Sequence, residues 1–164
     1  MKEQDLYSQV SKWLYNYLNS WNKRKEIIVK DTHKVNLSDF IVKNNLQNLI
    51  PQYSAYDIKV DITGIIKDKN NLKLVFVECK IKPIRLLDVG QLLGYSLVAK
   101  PIEAFLISPR GTSEPLYQLL KIYGRYDILS YDKNRNIKIL TWDIQKKEPV
   151  WSSILPPGYH RGKL

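Results

Sequence analysis

The chain has one cysteine, Cys79, and two histidines, His33 and His160, in 164 residues. A lone cysteine excludes an intramolecular disulfide framework and a four-cysteine iron–sulfur cluster. Two histidines so far apart are too few for a zinc cluster, a paired-histidine phosphodiesterase site or a histidine–asparagine–histidine nuclease site. No apolar run approaches the roughly 20 residues that span a bilayer. The N-terminus Met1-Lys2-Glu3-Gln4-Asp5 is too acidic for a signal peptide, so a reduced, cytoplasmic location is expected, with no membrane partner. There is no phosphate-binding glycine loop, and Ser108-Pro109-Arg110-Gly111 lacks the nucleophile-elbow pattern. Neither internal repeats nor low-complexity segments occur.

Acidic residues are also scarce. The 26 lysines and arginines outnumber 16 aspartates and glutamates, giving a formal charge of +10. Such a balance favours a polyanionic partner, most simply nucleic acid. It is equally the composition of a protein from a lysine-rich proteome. Hydrophobic content of 44% fits one globular domain with a real core. We place that domain at residues 1–148, followed by an irregular basic tail at 149–164 that contains Pro156-Pro157 and His160-Arg161-Gly162-Lys163.

Apolar periodicity orders the elements. Leu6, Val10, Trp13, Leu14, Tyr17, Leu18 and Trp21 mark one face of a long helix. Glu26–Lys30 reads as a strand and Leu37–Leu46 as a second helix. Tyr56, Ile58, Val60 and Ile62 alternate with polar residues, which predicts a strand. Another runs from Leu72 to Lys80. Leu86–Ala99 is helical, and Gly90 and Gly94 are expected to let it lie close to the sheet. Ile102–Ser108 is a strand. Ser113-Glu114-Pro115 starts a helix with Leu116, Leu119, Leu120 and Tyr123 as its apolar stripe. Asp127–Tyr131 and Ile137–Trp142 complete the set as strands. The fold class is therefore α/β, a central mixed sheet flanked by helices, with an α-β-β-β-α-β core and one inserted helix.

The chemistry concentrates in Val60-Asp61-Ile62-Thr63-Gly64 and Val75-Phe76-Val77-Glu78-Cys79-Lys80. Asp68-Lys69-Asn70-Asn71 reads as a tight turn between them. If the strands pair symmetrically about Lys69-Asn70, facing residues have numbers that sum to 139, as 61 and 78 do. Asp61 and Glu78 are then directly opposed, with Cβ atoms about 4.5–5.5 Å apart. Like charges so close destabilise a sheet unless something offsets them, and a divalent metal is the natural candidate. Lys80 shares the face of Glu78. Two carboxylates and a lysine at one end of a hairpin are the parts of a metal-dependent phosphodiesterase.

This constellation resembles the PD-(D/E)XK nuclease superfamily, with Val60 where the family name has proline. Gln91-Leu92-Leu93-Gly94-Tyr95 is similar to the Gln-x-x-x-Tyr motif of its RecB-like branch, and Glu3-Gln4-Asp5-Leu6-Tyr7 to the acidic first helix of several branches. The resemblance spans about residues 3–108. It implies a restriction-endonuclease-like fold and a Mg²⁺-dependent deoxyribonuclease, with Mn²⁺ able to substitute and an endonuclease expected over an exonuclease. Asp61 and Glu78, with the carbonyl of Cys79, would hold the metal. Lys80 would orient the attacking water. Gln91 and Tyr95 would lie near the lysine and the DNA.

Each residue also has a plainer reading. Glu78 and Lys80 could be surface charges, although they end a strongly apolar strand. Glu3 could merely favour a helix N-terminus, and Gln91 and Tyr95 could simply pack on the sheet. Asp57-Ile58-Lys59 repeats the motif but lacks an upstream acidic strand partner. The Cys79 thiol, on the opposite strand face, reads as buried and inert. Lys82, Arg85 and Arg110 are near enough in sequence to contact a phosphate backbone. The alternatives to a nuclease are a non-catalytic nucleic-acid-binding protein and an adaptor subunit. A chain this small cuts two strands as a dimer or nicks one, and a homodimer is the expectation.

Overall fold

The computed structural model describes residues 1–158. Its helices are α1 (Gln4–Trp21), α2 (Leu37–Lys43), α3 (Leu86–Ala99) and the short α4 (Glu114–Tyr117). Its strands are β1 (Glu26–Asp31), β2 (Ile62–Asp68), β3 (Asn71–Cys79), β4 (Glu103–Ser108), β5 (Ser130–Asp132), β6 (Arg135–Asp143) and β7 (Glu148–Leu155). All seven strands belong to one mixed sheet in the order β1-β2-β3-β4-β6-β5, and β7 also pairs with β6. The fold is α/β, and the order α1-β1-α2-β2-β3-α3-β4 contains the expected core with its inserted helix.

Alternation along the strands makes two apolar layers. On one side Ile62, Ile66, Val75, Val77, Phe105 and Ile107 pack against Leu6, Val10, Leu14 and Leu18 of α1. On the other, Ile65, Leu74, Phe76, Ala104 and Leu106 pack against α2, α3 and α4. Strands β3 and β4 pair in parallel through the α3 crossover and are buried on both faces. At Gly64 of β2 the sheet comes close to α1. A Cβ there would stand 3.0 Å from Leu18 Cδ1 and 3.3 Å from Leu14 Cδ2. That role was expected of Gly90 and Gly94, but a Cβ at either would meet nothing within 4 Å, because both lie on the outer face of α3.

Several expectations need correction. The strand expected from Tyr56 enters the sheet only at Ile62. Tyr56, Ile58 and Val60 are buried, so the alternation is real. Their backbone instead serves the α2 region, where Leu37 N–H donates to the Ile58 carbonyl at 2.7 Å and Thr32 N–H to that of Asp61 at 2.8 Å. Of the strand expected over Asp127–Tyr131, the first part belongs to a helical turn, Tyr126–Leu129, and only Ser130–Asp132 pairs as a strand. α4 continues as a π-helical turn, Gln118–Ile122, which shifts its phase and leaves Tyr123 exposed while Leu116 and Leu120 are buried. The tail is not irregular from Pro149. Glu148–Leu155 forms β7, held by pairing to β6 and by Trp151, which stacks on Tyr17 at 5.8 Å. The expected basic end, His160 to Lys163, lies outside the described residues. No described helix is long and apolar enough to cross a membrane.

Candidate metal and phosphodiester site

The β2–β3 hairpin pairs from Asp68↔Asn71 to Ile62↔Val77 across a two-residue turn. Lys69 N–H donates to Asp68 Oδ1 at 2.9 Å and fixes that turn. One step beyond the last pair, Asp61 comes beside Glu78, and Asp61 N–H lies 3.4 Å from Glu78 Oε2. Both carboxylates are almost fully buried, with Asp61 8% and Glu78 5% exposed.

Each oxygen of Asp61 accepts one hydrogen bond: Oδ1 from the Tyr7 hydroxyl and Oδ2 from Cys79 N–H, both at 2.8 Å. Glu78 Oε1 accepts from Lys80 Nζ at 3.1 Å. The same Nζ lies 3.6 Å from Glu3 Oε1. Lys80 N–H donates to the Ile107 carbonyl at 2.8 Å, which carries the β3–β4 pairing past Cys79. The first turns of α1 thus supply Glu3 and, one turn on, Tyr7. Thr32 backs the Asp61 segment, since its hydroxyl donates to the Val60 carbonyl and meets the Thr63 hydroxyl, both at 2.8 Å.

Sequence reasoning did not single out Tyr7 or Thr32. Tyr7 carried a signal, because it follows Glu3 by four residues and so shares its helix face. His33 is a third neighbour, its ring 4.9 Å from that of Tyr7 and its Nδ1 beside Asp31.

Burial dominates the electrostatics. It raises Glu78, with help from the neighbouring Asp61 charge and against Lys80, to about 7. Burial also raises Asp61, although Cys79 N–H, the Tyr7 hydroxyl and Lys80 oppose it. For Lys80 burial acts downward, but Glu78 and Glu3 outweigh it, so the ammonium is held above its usual range. Glu3 is raised by burial against the pull of Lys80. Burial pushes the Cys79 thiol well up, as an inert thiol requires. The Tyr7 hydroxyl is raised by burial and by its bond to Asp61, so it stays a donor.

With Glu3, Asp61 and Glu78 ionised, three negative charges face the one positive charge of Lys80. A divalent cation would balance the remainder. Among the described residues, no group of three or more His, Cys, Asp or Glu side chains converges as a metal-binding cluster. The donors to be tested are the two carboxylates and, as the resemblance implies, the Cys79 carbonyl. They fit Mg²⁺, which is held by one or two carboxylates plus water and substrate phosphate, and they do not fit a thiolate- or imidazole-seeking metal.

The remaining expected residues divide. Gln91 is exposed on α3, and Tyr95 is half-buried against the core. Neither is joined to the carboxylates by a hydrogen bond among the described residues. Lys82, Arg85 and Arg110 are exposed on two loops that follow β3 and β4. Those loops are tied together where Ser108 Oγ donates to the Lys82 carbonyl at 2.8 Å and Ile84 N–H to the Gly111 carbonyl at 2.8 Å. All three cations therefore lie at the end of the sheet that carries Glu78. Asp57 is occupied elsewhere, accepting from Asn36 Nδ2 at 3.1 Å at the start of α2.

No protein-family model matches the chain, and no curated protein does. The chain is similar to a solved structure described as a protein of unknown function, AF1548, at 12% identity and a TM-score of 0.40. The match covers 90% of this chain and 64% of that one, so the chain spans less than two thirds of that structure's length.

Proposed function

We propose that the protein is a Mg²⁺-dependent nuclease of the PD-(D/E)XK type that hydrolyses phosphodiester bonds in DNA. The observation that carries this reading is the buried Asp61–Glu78 pair, with Lys80 bound to Glu78 and flanked by Glu3. Two ionised carboxylates this close that share one lysine are costly in a protein interior. The net charge of +10 supports a polyanionic substrate.

Bound between Asp61, Glu78 and the Cys79 carbonyl, the ion would polarise the scissile phosphate and acidify a water. The protein's own groups do the rest. Tyr7 and Cys79 N–H hold Asp61 in one orientation and use one lone pair of each of its oxygens. Glu78 and Glu3 keep Lys80 protonated, which makes it an electrostatic partner for the charge developing on phosphate and an orienting donor to water. Lys82, Arg85 and Arg110 would grip the backbone, which positions DNA without reading its sequence.

The test is a cleavage gel comparing linear, circular, branched and single-stranded DNA, with Mg²⁺, Mn²⁺ or EDTA. Metal-dependent cleavage of any substrate supports the reading. Salt-sensitive binding without cleavage would replace it with a non-catalytic DNA-binding protein, and neither result with an adaptor.

A further inference from the structure

Helix α3 is apolar on both sides. Val89, Leu92 and Ser96 face the sheet and are buried. The opposite side carries Leu86, Leu87, Leu97 and Val98, which are 55%, 75%, 52% and 57% exposed, with Gly90 and Gly94 between them. At 100° per residue these six positions fall within one 120° sector, and only Gln91 at its rim is polar. A contiguous apolar tract left exposed on a surface marks an interaction site.

We propose that this face is a homodimer interface, in which two copies of α3 pack antiparallel about a two-fold axis at the level of Leu92. The occupant follows from the pattern itself. A two-fold interface must be self-complementary, so each position meets its mirror position in the partner. The exposed residues obey that rule about Leu92. Leu86 is as far before it as Val98 is after it, Leu87 matches Leu97, and Gly90 matches Gly94. Antiparallel packing therefore sets large residues against large ones at both ends. The glycines oppose each other in the middle, where the backbones approach most closely. An unrelated partner would not require this symmetry.

A second feature agrees. Next to the N-terminus of α3 is a mainly apolar groove between Leu86 and Leu87 on one wall and Pro115, Leu116 and Leu119 on the other, with Arg85 and Ser113 as its polar lining. The antiparallel arrangement carries the Leu97 and Val98 of one copy to the groove of the other, and the reverse. A 14-residue helix is about 21 Å long and alone covers less than the roughly 800 Å² per partner that stable pairs bury. The groove, with exposed Ile122 and Tyr123 one turn beyond it, extends the apolar tract.

Sedimentation equilibrium on the purified chain, over a wide range of concentration, tests the proposal. The expected mass is twice that of the chain, falling to one chain in Leu87→Glu and in Leu97→Glu with unchanged circular dichroism. Should a glutamate variant misfold, cysteines read the register independently. Gly90→Cys mixed with Gly94→Cys should form an intermolecular disulfide on mild oxidation much faster than either variant alone. Cys79, being buried, does not compete. A wild-type chain that remains monomeric throughout would overturn the proposal and leave the face to a different partner. So would a dimer that survives both glutamates, or cysteines that cross-link no faster in the mixture.

Discussion

Replacing Glu78 by glutamine should make the metal-free protein more stable at neutral pH. The Glu78 carboxyl rises from 4.5 to about 7 because burial and Asp61 disfavour its charge. A carboxyl that is harder to ionise in the folded state holds its proton there while the unfolded chain has already released it. The folded state therefore binds more protons between pH 4.5 and about 7, and stability falls as pH rises through that window. Below it, neutral glutamic acid and glutamine are equivalent. Above it, the wild type bears a cost of about 3 kcal/mol that the amide does not. For a chain of this size that corresponds to roughly 6–12 °C in Tm. The assay is thermal unfolding by circular dichroism in EDTA from pH 5 to 8. The Tm difference, variant minus wild type, should grow from near zero to this value. Mg²⁺ or Mn²⁺ at pH 8 should then raise the wild type and leave the variant unmoved. A difference that is flat with pH, or that shrinks as pH rises, would refute the reasoning about the buried pair.

Asp61→Ala should reduce Mg²⁺-dependent cleavage to background on a gel, while filter binding to DNA persists or tightens because a negative charge has gone. Lys80→Ala should lower turnover by about 10²–10³-fold while calorimetry shows Mn²⁺ still binding; lost metal affinity with turnover intact would reverse its role. Gly64→Ala, whose new Cβ would stand 3.0 Å from Leu18 Cδ1, should cost about 1–3 kcal/mol in urea unfolding by lifting α1 off the sheet. An unchanged midpoint would show that Leu18 can yield.

The hairpin was legible because a two-residue turn admits one symmetric register, so the opposition of Asp61 and Glu78 followed from counting residues. The bounds expected of α3, Leu86 and Ala99, are those of the structure. What escaped was set by tertiary contact. Tyr56–Val60 has the alternation of a strand, yet its backbone bonds to the α2 region, and no local pattern records that. β7 has a proline at its second position, Pro149, and its strand character comes from β6 and from Trp151 against Tyr17. The weight given to Gly90 and Gly94 as sheet-facing was misplaced because α3 is apolar on both sides, so its buried face could not be chosen from sequence. At the site, α1 brings Glu3 to Lys80, but the bond from Tyr7 to Asp61 depends on the angle at which α1 crosses the sheet.

The arrangement around β6 bears on how this protein avoids joining its neighbours. One side of β6 pairs with β4, and its other side is divided, with Arg135 and Asn136 taken by β5 and the stretch from Ile139 to Asp143 by β7. The three-residue β5 and the eight-residue β7, both irregularly paired, thus cap what would otherwise be a long row of free amides and carbonyls. At the opposite margin, β1 is the terminal strand, and it carries Glu26, Lys30 and Asp31 near its ends. Charges there and bulged, partitioned coverage at β6 are both features that discourage strand-by-strand growth into fibres. The sheet can thus hold its ionised residues at its centre while neither margin offers a clean template for another chain.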